Sequence, residues 1–140
     1  MPSITIRSEQ EAGLLSAACQ AAEQAYAPYS GFRVGAALLL ETGEIVTAAN
    51  VENTSYSLTI CAERSAIVRA VAQHGPQIRI LAIAVSNLNG ESSSPCGACR
   101  QVLAEFMAPG GLVLFPFNGT PQSHTLADLL PYGFYLKHAE

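Results

Sequence analysis

The sequence predicts an α/β fold in which a central mixed sheet of five strands is flanked by helices, in the order α-β-β-α-β-α-β-(β)-α. Apolar residues recur at helical spacing in separate segments, and continuous apolar runs of strand length alternate with those segments. Gly, Pro and Asn-Gly signals separate the elements. With 140 residues and no repeat or linker, the chain is expected to form one domain, residues 1–140.

The first helix and the first two strands are predicted from the N-terminal third of the chain. The run Ser8-Glu9-Gln10-Glu11 is typical of a capping box at a helix start. Apolar residues then recur at helical spacing, and Pro28 ends the predicted helix. These apolar residues are Leu14, Ala18, Ala21, Ala22 and Ala25. The apolar segments 33–40 and 45–49, joined by Glu-Thr-Gly-Glu, predict a β-hairpin.

The rest of the chain predicts two longer helices, two strands and a short final helix. One helix begins near Cys61 and runs to about residue 74, and the next begins just after Pro95. The apolar run 78–86 predicts a buried central strand, which the polar loop 87–94 follows. Residues 112–117 predict another strand before an Asn-Gly turn, and 126–130 predict the last helix.

Composition excludes several classes of partner. The net charge is −4 and the seven basic residues are scattered, which argues against binding a nucleic acid polymer. No stretch is long enough to cross a bilayer, and residues 1–13 lack the apolar core of an export signal, so a cytoplasmic protein is expected. Because 49% of the residues are apolar and 13% are charged, some apolar surface is expected to lie against other subunits.

Three cysteines and a glutamate predict a hydrolytic metal site. Cys61 stands two residues before Glu63, and Cys96 and Cys99 form a Pro-Cys-x-x-Cys pair. Three thiolates at helix N-termini bind Zn²⁺ and leave a fourth tetrahedral position for water. Glu63 is expected within reach of that water without binding the metal. Arg64 is expected to hydrogen-bond to cysteine sulfur and to offset the excess negative charge.

Two plainer readings of the same residues stay open. A structural site with four cysteines would add Cys19 as the fourth ligand, but Cys19 lies mid-helix among alanines and is expected in the core. Glu63 alone would be a solvated acid in a first helical turn. A closed site with four cysteines would be a non-catalytic zinc module, which binds zinc without activating a water.

Four segments carry a family resemblance that covers nearly the whole chain. They are APYSGFRVGAA at 27–37, NVEN at 50–53, CAER at 61–64 and SPCGACRQ at 94–101. With these, the chain closely resembles the short, homotetrameric, zinc-dependent cytidine deaminases. The resemblance implies a three-layer α/β/α fold and one Zn²⁺ per subunit on Cys61, Cys96 and Cys99. It also implies a homotetramer in which neighbouring subunits complete each site.

The resemblance further implies a reaction and a set of substrate contacts. Zinc-activated water would convert cytidine and deoxycytidine to uridine and deoxyuridine plus ammonia in pyrimidine salvage, with Glu63 as the proton carrier. The side chains of Asn50 and Glu52 share a face of an extended segment and suit ribose hydroxyls. The other expected contacts are Phe32 against the pyrimidine, Tyr56 at the pocket wall, the backbone of Ala62 and Ser94 at the base amide edge, and Phe134 in a neighbour's site.

Alternatives remain for these contacts and for the substrate. Without the other motifs, NVEN would be interpreted as a polar strand exit, and a Phe before an apolar strand, such as Phe32, is more often a core residue. The absence of a phosphate cradle or basic cluster favours a nucleoside over a nucleotide. A related cytosine compound, such as a blasticidin-type antibiotic, is the nearest competing substrate. RNA or DNA editing is disfavoured by the net negative charge.

Overall fold

A computed structural model describes residues 5–136 of the chain. Within them, a sheet of five strands in the order β2-β1-β3-β4-β5 is accompanied by four α-helices. The elements are α1 Ser8–Ala21, β1 Val34–Leu40, β2 Ile45–Ala49, α2 Ala62–His74, β3 Ile80–Asn87, α3 Gly97–Phe106, β4 Met107–Phe117, β5 Thr120–Thr125 and α4 Leu126–Leu129. Only β3 and β4 among these strands run parallel, so the sheet is mixed, as predicted.

Helices cover both faces of this sheet, because alternate residues of each strand point to opposite sides. In β1, Leu38 and Leu40 belong to one buried cluster, which also contains residues of α2, α3 and α4. Ala37 and Leu39 belong to a second cluster, which contains residues of α1. The result is the expected three-layer α/β/α arrangement. No helix within residues 5–136 has the length and apolar character that a membrane span requires.

The approach of α1 to the sheet depends on Gly35. A Cβ atom at this position would lie 1.9 Å from the carbonyl oxygen of Ala18 and 2.6 Å from the amide nitrogen of Ala22. Backbone atoms at these distances leave no room for any side chain. The small residues on this face of the sheet therefore let the helix lie closer than large ones would.

The start and end of α1 differ from the prediction. Arg7, and not Ser8, is the N-cap residue, and its amide donates to the Oε1 atom of Gln10 over 3.1 Å. The backbone therefore begins the helix one residue earlier than a Ser8 cap would require. The α-helix ends at Ala21 and a single 3₁₀ turn follows, so Ala25 lies outside it.

The largest difference in length concerns β4, which begins at Met107 directly after α3. Met107 pairs with Ile80, but the next paired residue of β4 is Leu112, opposite Ala82. The residues between them bulge out of the ladder, and Gly110 adopts a φ of 79° there. A Pro-Gly-Gly sequence in this bulge resembles a strand boundary, which explains why the prediction began at residue 112.

Candidate metal centre and adjoining cavity

Two helix N-termini meet where the three predicted metal ligands lie. Cys61 is the N-cap residue of α2, Cys96 is the N-cap residue of α3, and Cys99 lies in the first turn of α3. Their Sγ atoms all lie within 4.8 Å of one another. The Cys61–Cys96 and Cys96–Cys99 sulfur distances are 4.0 and 3.2 Å.

The donor set fits a zinc ion. A tetrahedral ion with Zn–S bonds of about 2.3 Å places its sulfurs about 3.8 Å apart, within the range of separations found here. Among the His, Cys, Asp and Glu side chains of residues 5–136, no other group of three or more lies close enough to share an ion. Cys19 is half-buried on α1 and is not a member of the group. The three sulfurs can hold zinc with one coordination position left over.

The surroundings of Cys61 and Cys99 shift the pKa values of their thiols in opposite directions. A hydrogen bond from the Cys99 thiol, assisted by Arg64, lowers the pKa of Cys61 to about 5. The same contact with Cys61, together with burial and the nearby Glu63, raises the pKa of Cys99. The lowered pKa readies Cys61 as a ligand, while the proton that it shares with Cys99 has to leave before both sulfurs can bind a metal ion.

Arg64 lies beside the first of these sulfurs. Its Nη2 atom donates to Sγ of Cys61 over 3.4 Å, one helical turn along α2. The thiolate in turn raises the pKa of Arg64, so the guanidinium stays charged. Arg64 is thus positioned to neutralise part of the charge that three thiolates bring.

Glu63 is buried, unlike an ordinary acid in a first helical turn. Only 4% of the residue is exposed, and it lines a cavity next to the cysteines. Burial raises its pKa, and the negative charge of Cys61 adds to this effect. A carboxyl group with a raised pKa is suited to accepting and returning a proton near neutral pH.

The cavity has a volume of about 430 Å³ and gathers most of the predicted site residues. This size is within the usual range for small-molecule sites. The predicted residues in its wall are Phe32, Asn50, Glu52, Tyr56, Cys61, Ala62, Glu63, Ser94 and Cys96. Cys99 is fully buried behind the wall.

Phe134 is the predicted site residue that lies away from this cavity. It is 68% exposed and is not part of the cavity wall. Its backbone amide and carbonyl both bond to the side-chain amide of Gln101, over 3.0 and 2.6 Å. The C-terminal segment is therefore attached to α3, and the ring of Phe134 remains available to another molecule.

Asn50 and Glu52 are buried, and both hold the neighbouring chain as well as facing the cavity. The side-chain amide of Asn50 accepts a hydrogen bond from the backbone amide of Val34 over 3.0 Å. It also donates one to the backbone carbonyl of Phe32 over 2.8 Å. Glu52 accepts from the amides of Tyr29 and Ser30 over 3.0 and 3.1 Å, and from the Ser30 hydroxyl. The Ser30 hydroxyl contributes most to lowering the pKa of Glu52, which stays ionised.

Several residues of the cavity wall were not among those predicted from the sequence. They are Ser30, Val34, Thr59, Val85, Ser92 and Ser93. A local signal existed for Ser30. A serine hydroxyl often accepts a hydrogen bond from the backbone amide two residues later, and the Ser30 hydroxyl does so from the amide of Phe32 over 2.9 Å. The bonds to Glu52 join residues 22 positions apart, and no local pattern predicts them.

Comparisons with known proteins agree with this geometry. The family model described as the cytidine and deoxycytidylate deaminase zinc-binding region matches residues 8–114. The chain is 45% identical over 122 residues to a cytidine deaminase of Halalkalibacterium halodurans. The aligned region covers 86% of this chain and 91% of that protein. A blasticidin-S deaminase of Bacillus cereus is 33% identical over 104 residues, which covers 70% of this chain and 74% of that protein.

Solved structures give the same result for the fold. The crystal structure of a cytidine deaminase from Burkholderia pseudomallei superposes with a TM-score of 0.80 at 41% identity. The match covers 92% of this chain and 100% of that chain. Sequence, fold and the group of three cysteines thus agree, and the chain belongs to the zinc-binding cytidine and deoxycytidylate deaminase family.

Proposed function

We propose that this protein hydrolyses cytidine and deoxycytidine to uridine and deoxyuridine, with release of ammonia, as a reaction of pyrimidine salvage. The observation that carries the proposal is the buried carboxyl group of Glu63, which lines the same cavity as the sulfur cluster. One water is consumed per substrate molecule: its oxygen bonds to C4 of the base, and the C4–N bond breaks to release the amine.

In this proposal Cys61, Cys96 and Cys99 hold one zinc ion per chain. When bound, zinc supplies a Lewis acid that lowers the pKa of water and so makes a nucleophile available at neutral pH. Together with the hydrogen bond from Cys99, Arg64 lowers the pKa of Cys61, and its charge offsets the negative charge of the ligand set. Cys99 gives up its proton when the ligand set is completed.

Glu63 carries both protons of the reaction. Its carboxylate accepts a proton from the attacking water and passes it to N3 of the base, which makes C4 more electrophilic. After the oxygen has added to C4, Glu63 accepts the remaining hydroxyl proton and delivers it to the departing amine. The burial that raises the pKa of Glu63 suits a group that must alternate between the two states.

Asn50 and Glu52 bind the ribose hydroxyls with the bonding capacity that they retain. The amide of Asn50 uses one N–H and one oxygen lone pair on the neighbouring backbone, so one of each remains. The carboxylate of Glu52 accepts three bonds and has room for a fourth. Asn50 can still donate and accept a hydrogen bond, whereas Glu52 can only accept. The pair therefore suits two adjacent hydroxyls of a ribose.

The base is held by one aromatic ring and by backbone groups. Phe32 packs against the pyrimidine, and Tyr56, which is 65% exposed, closes the wall at the rim of the cavity. The amide of Ala62 belongs to the first turn of α2, where N–H groups have no partner within the helix. The backbone of Ala62 and of Ser94 therefore binds the amide edge of the base.

The active form in this proposal is a homotetramer, in which Phe134 reaches the site of a neighbouring subunit. Beside the cavity, a set of large apolar side chains is 39–65% exposed: Tyr26, Val51, Tyr56, Leu58 and Ile60. Such surfaces usually pack against another protein surface. Sedimentation analysis is expected to give four times the chain mass of 14.7 kDa, and a monomeric mass with full activity would contradict the assembly.

We also propose that residues 1–140 form a single domain that works in the reducing cytoplasm. In the described part of the chain one sheet carries both apolar clusters, which supports a single folding unit. All four cysteines are free, and the proposed ligands must stay reduced to bind zinc.

The test is direct conversion of cytidine by the purified protein. Loss of the cytidine absorbance is expected to coincide with release of one ammonia per substrate. Activity is expected to disappear after chelation and return when zinc is restored. A zinc-loaded protein that releases no ammonia would instead support a non-catalytic zinc module.

A blasticidin-type antibiotic is the second candidate substrate, which the similarity to the Bacillus cereus protein favours. Parallel assays with cytidine, deoxycytidine and blasticidin S separate the two. Since Asn50 and Glu52 suit ribose hydroxyls, the nucleosides are expected to give the higher kcat/KM. A clear preference for the antibiotic would reverse the assignment while leaving the deaminase chemistry intact.

A further inference from the structure

The extended segment that carries Phe32 lies between two asparagine side chains. On one side, Asn50 bonds to the carbonyl of Phe32 and the amide of Val34. On the other side, Asn89 accepts from the amide of Arg33 over 3.0 Å and donates to the carbonyl of Gly31 over 3.0 Å. Each asparagine thus uses both ends of its amide, as a neighbouring β-strand would use its peptide groups.

The hydrogen-bond pattern of the sheet therefore continues past the start of β1. There, the side chains of Asn50 and Asn89 make the bonds that the backbone of a neighbouring strand would make. The amide of Leu88 still donates to the carbonyl of Arg33 over 3.1 Å, which is the last backbone contact on the β3 side. Asn89 then takes over from the backbone on that side. Without it, the carbonyl of Gly31 and the amide of Arg33 would have only water as a partner on that side.

The loop after β3 presents Asn89 in a defined position. The Asn87 side chain accepts from the amides of Asn89 and Glu91 over 2.9 and 3.1 Å, and donates to the carbonyl of Glu91 over 2.8 Å. Asn87 is buried, so this turn is well supported. The same loop continues to residues 92–94, which line the cavity. Asn89 therefore connects two walls of the cavity.

We propose that Asn89 is a positioning residue for the substrate, which acts through the backbone of Phe32 without contacting the cavity. This inference rests on the proposed deaminase function and extends it to a residue outside the cavity wall. The two hydrogen bonds of Asn89 fix the segment 31–33, and that segment sets the place of the Phe32 ring. Because the ring contacts the base before and during the reaction, losing its position weakens ground-state and transition-state binding alike.

The variant Asn89→Ala tests this in steady-state kinetics with cytidine. KM is expected to rise about fivefold while kcat changes less than about twofold, the size that one or two net hydrogen bonds allow. Zinc content is expected to stay at one ion per chain. Gln73→Ala, which removes an exposed amide near the far end of α2, is the matched control and is expected to leave KM unchanged.

A double-mutant cycle with Phe32→Ala distinguishes positioning from a general structural effect. If Asn89 acts through the Phe32 ring, Asn89→Ala is expected to change KM less than about twofold in the Phe32→Ala background. The dissociation constant of uridine, measured by calorimetry, gives the same comparison where turnover is slow. An equal increase in both backgrounds, or no increase in the parent, would overturn the proposal.

Amide hydrogen exchange supplies a readout that does not depend on activity. In Asn89→Ala the Arg33 amide is expected to exchange faster, while the Val34 amide, which Asn50 holds, serves as the internal control. Faster exchange without a change in KM would overturn the role in substrate binding. A parent protein with no activity on cytidine would overturn the proposed function, whatever the exchange result.

Discussion

The guanidinium of Arg64 and the sulfur of Cys61 are joined by a hydrogen bond of 3.4 Å across one turn of α2. Cys61 is half-buried, where a lone thiolate would be disfavoured. Bonds from Cys99 and Arg64 reverse that preference and lower the pKa of Cys61 to about 5. The candidate metal centre is therefore prepared by two neighbours of Cys61, namely Cys99 and Arg64, and Arg64 is not one of the proposed ligands.

Replacing Arg64 by alanine is expected to weaken zinc binding. Loss of the bond to Cys61 raises the pKa of that thiol and leaves the ligand charge without compensation, so zinc affinity is expected to fall about 10- to 100-fold. Competition with a chromophoric chelator measures the affinity. Arg64→Lys, which keeps the charge, is expected to lose less. Equal affinities in all three proteins would contradict this role.

Each proposed ligand is expected to be essential for zinc retention. Cys61→Ser, Cys96→Ser and Cys99→Ser are expected to lose most of their bound zinc on dialysis, because the remaining sulfurs offer too few ligands. Metal analysis per chain measures this. Cys19→Ser is the matched control and is expected to keep one zinc. Zinc loss in that control would revive the site with four cysteines.

Glu63→Gln is expected to separate metal binding from catalysis. The amide is nearly isosteric but cannot accept and return a proton, so kcat is expected to fall at least about 100-fold while zinc content is unchanged. Glu9→Gln, in the first turn of α1, controls for the loss of a carboxylate and is expected to be as active as the parent. A kcat within tenfold of the parent would show that Glu63 is not the proton carrier.

Ser30→Ala is expected to change the titration of Glu52. The Ser30 hydroxyl holds the pKa of Glu52 below its ordinary value of 4.5, and a depressed pKa stabilises the fold above that pH. This contribution is lost as the pH falls through the folded-state pKa. The variant is therefore expected to be less stable than the parent at neutral pH, with the difference shrinking in acid.

Carboxyl-carbon NMR measures that pKa directly. In Ser30→Ala the pKa of Glu52 is expected to move up towards 4.5, and Ser16→Ala on the exposed face of α1 is expected to leave it unchanged. An unchanged pKa in Ser30→Ala would show that the backbone amides alone determine the ionisation of Glu52.

Two glycine substitutions are expected to change stability in opposite directions. A Cβ at Gly35 meets backbone atoms of α1, so Gly35→Ala is expected to cost about 3 kcal/mol of unfolding free energy. Gly13 lies in α1, and apart from its chain neighbours and the backbone of its own helix no atom lies within 4 Å of a Cβ placed there, so Gly13→Ala is expected to add about 0.5–1 kcal/mol. Chemical denaturation measures both. A tolerated Gly35→Ala would contradict the close packing of α1.

Local patterns predicted the elements well wherever the signal lay within a few residues. The Asn118-Gly119 pair adopts positive φ values of 52° and 77° between β4 and β5, as that sequence favours. Thr125 caps the last helix by accepting from the amide of Asp128 over 3.2 Å. At the start of α1, by contrast, Gln10 bonds to Arg7, and the competing pattern at Ser8 shifted the prediction by one residue.

The sequence by itself determined which residue types stand at the candidate site, because residue type and helix-start position are local properties. Cys61, Cys96 and Glu63 stand at helix N-termini, as their local sequences predicted. Only the tertiary structure decided which side chains share a cavity and which bonds they already make. The bonds from Asn89 to a segment more than fifty residues away depend on how two strand ends meet, and no spacing in the sequence encodes that distance.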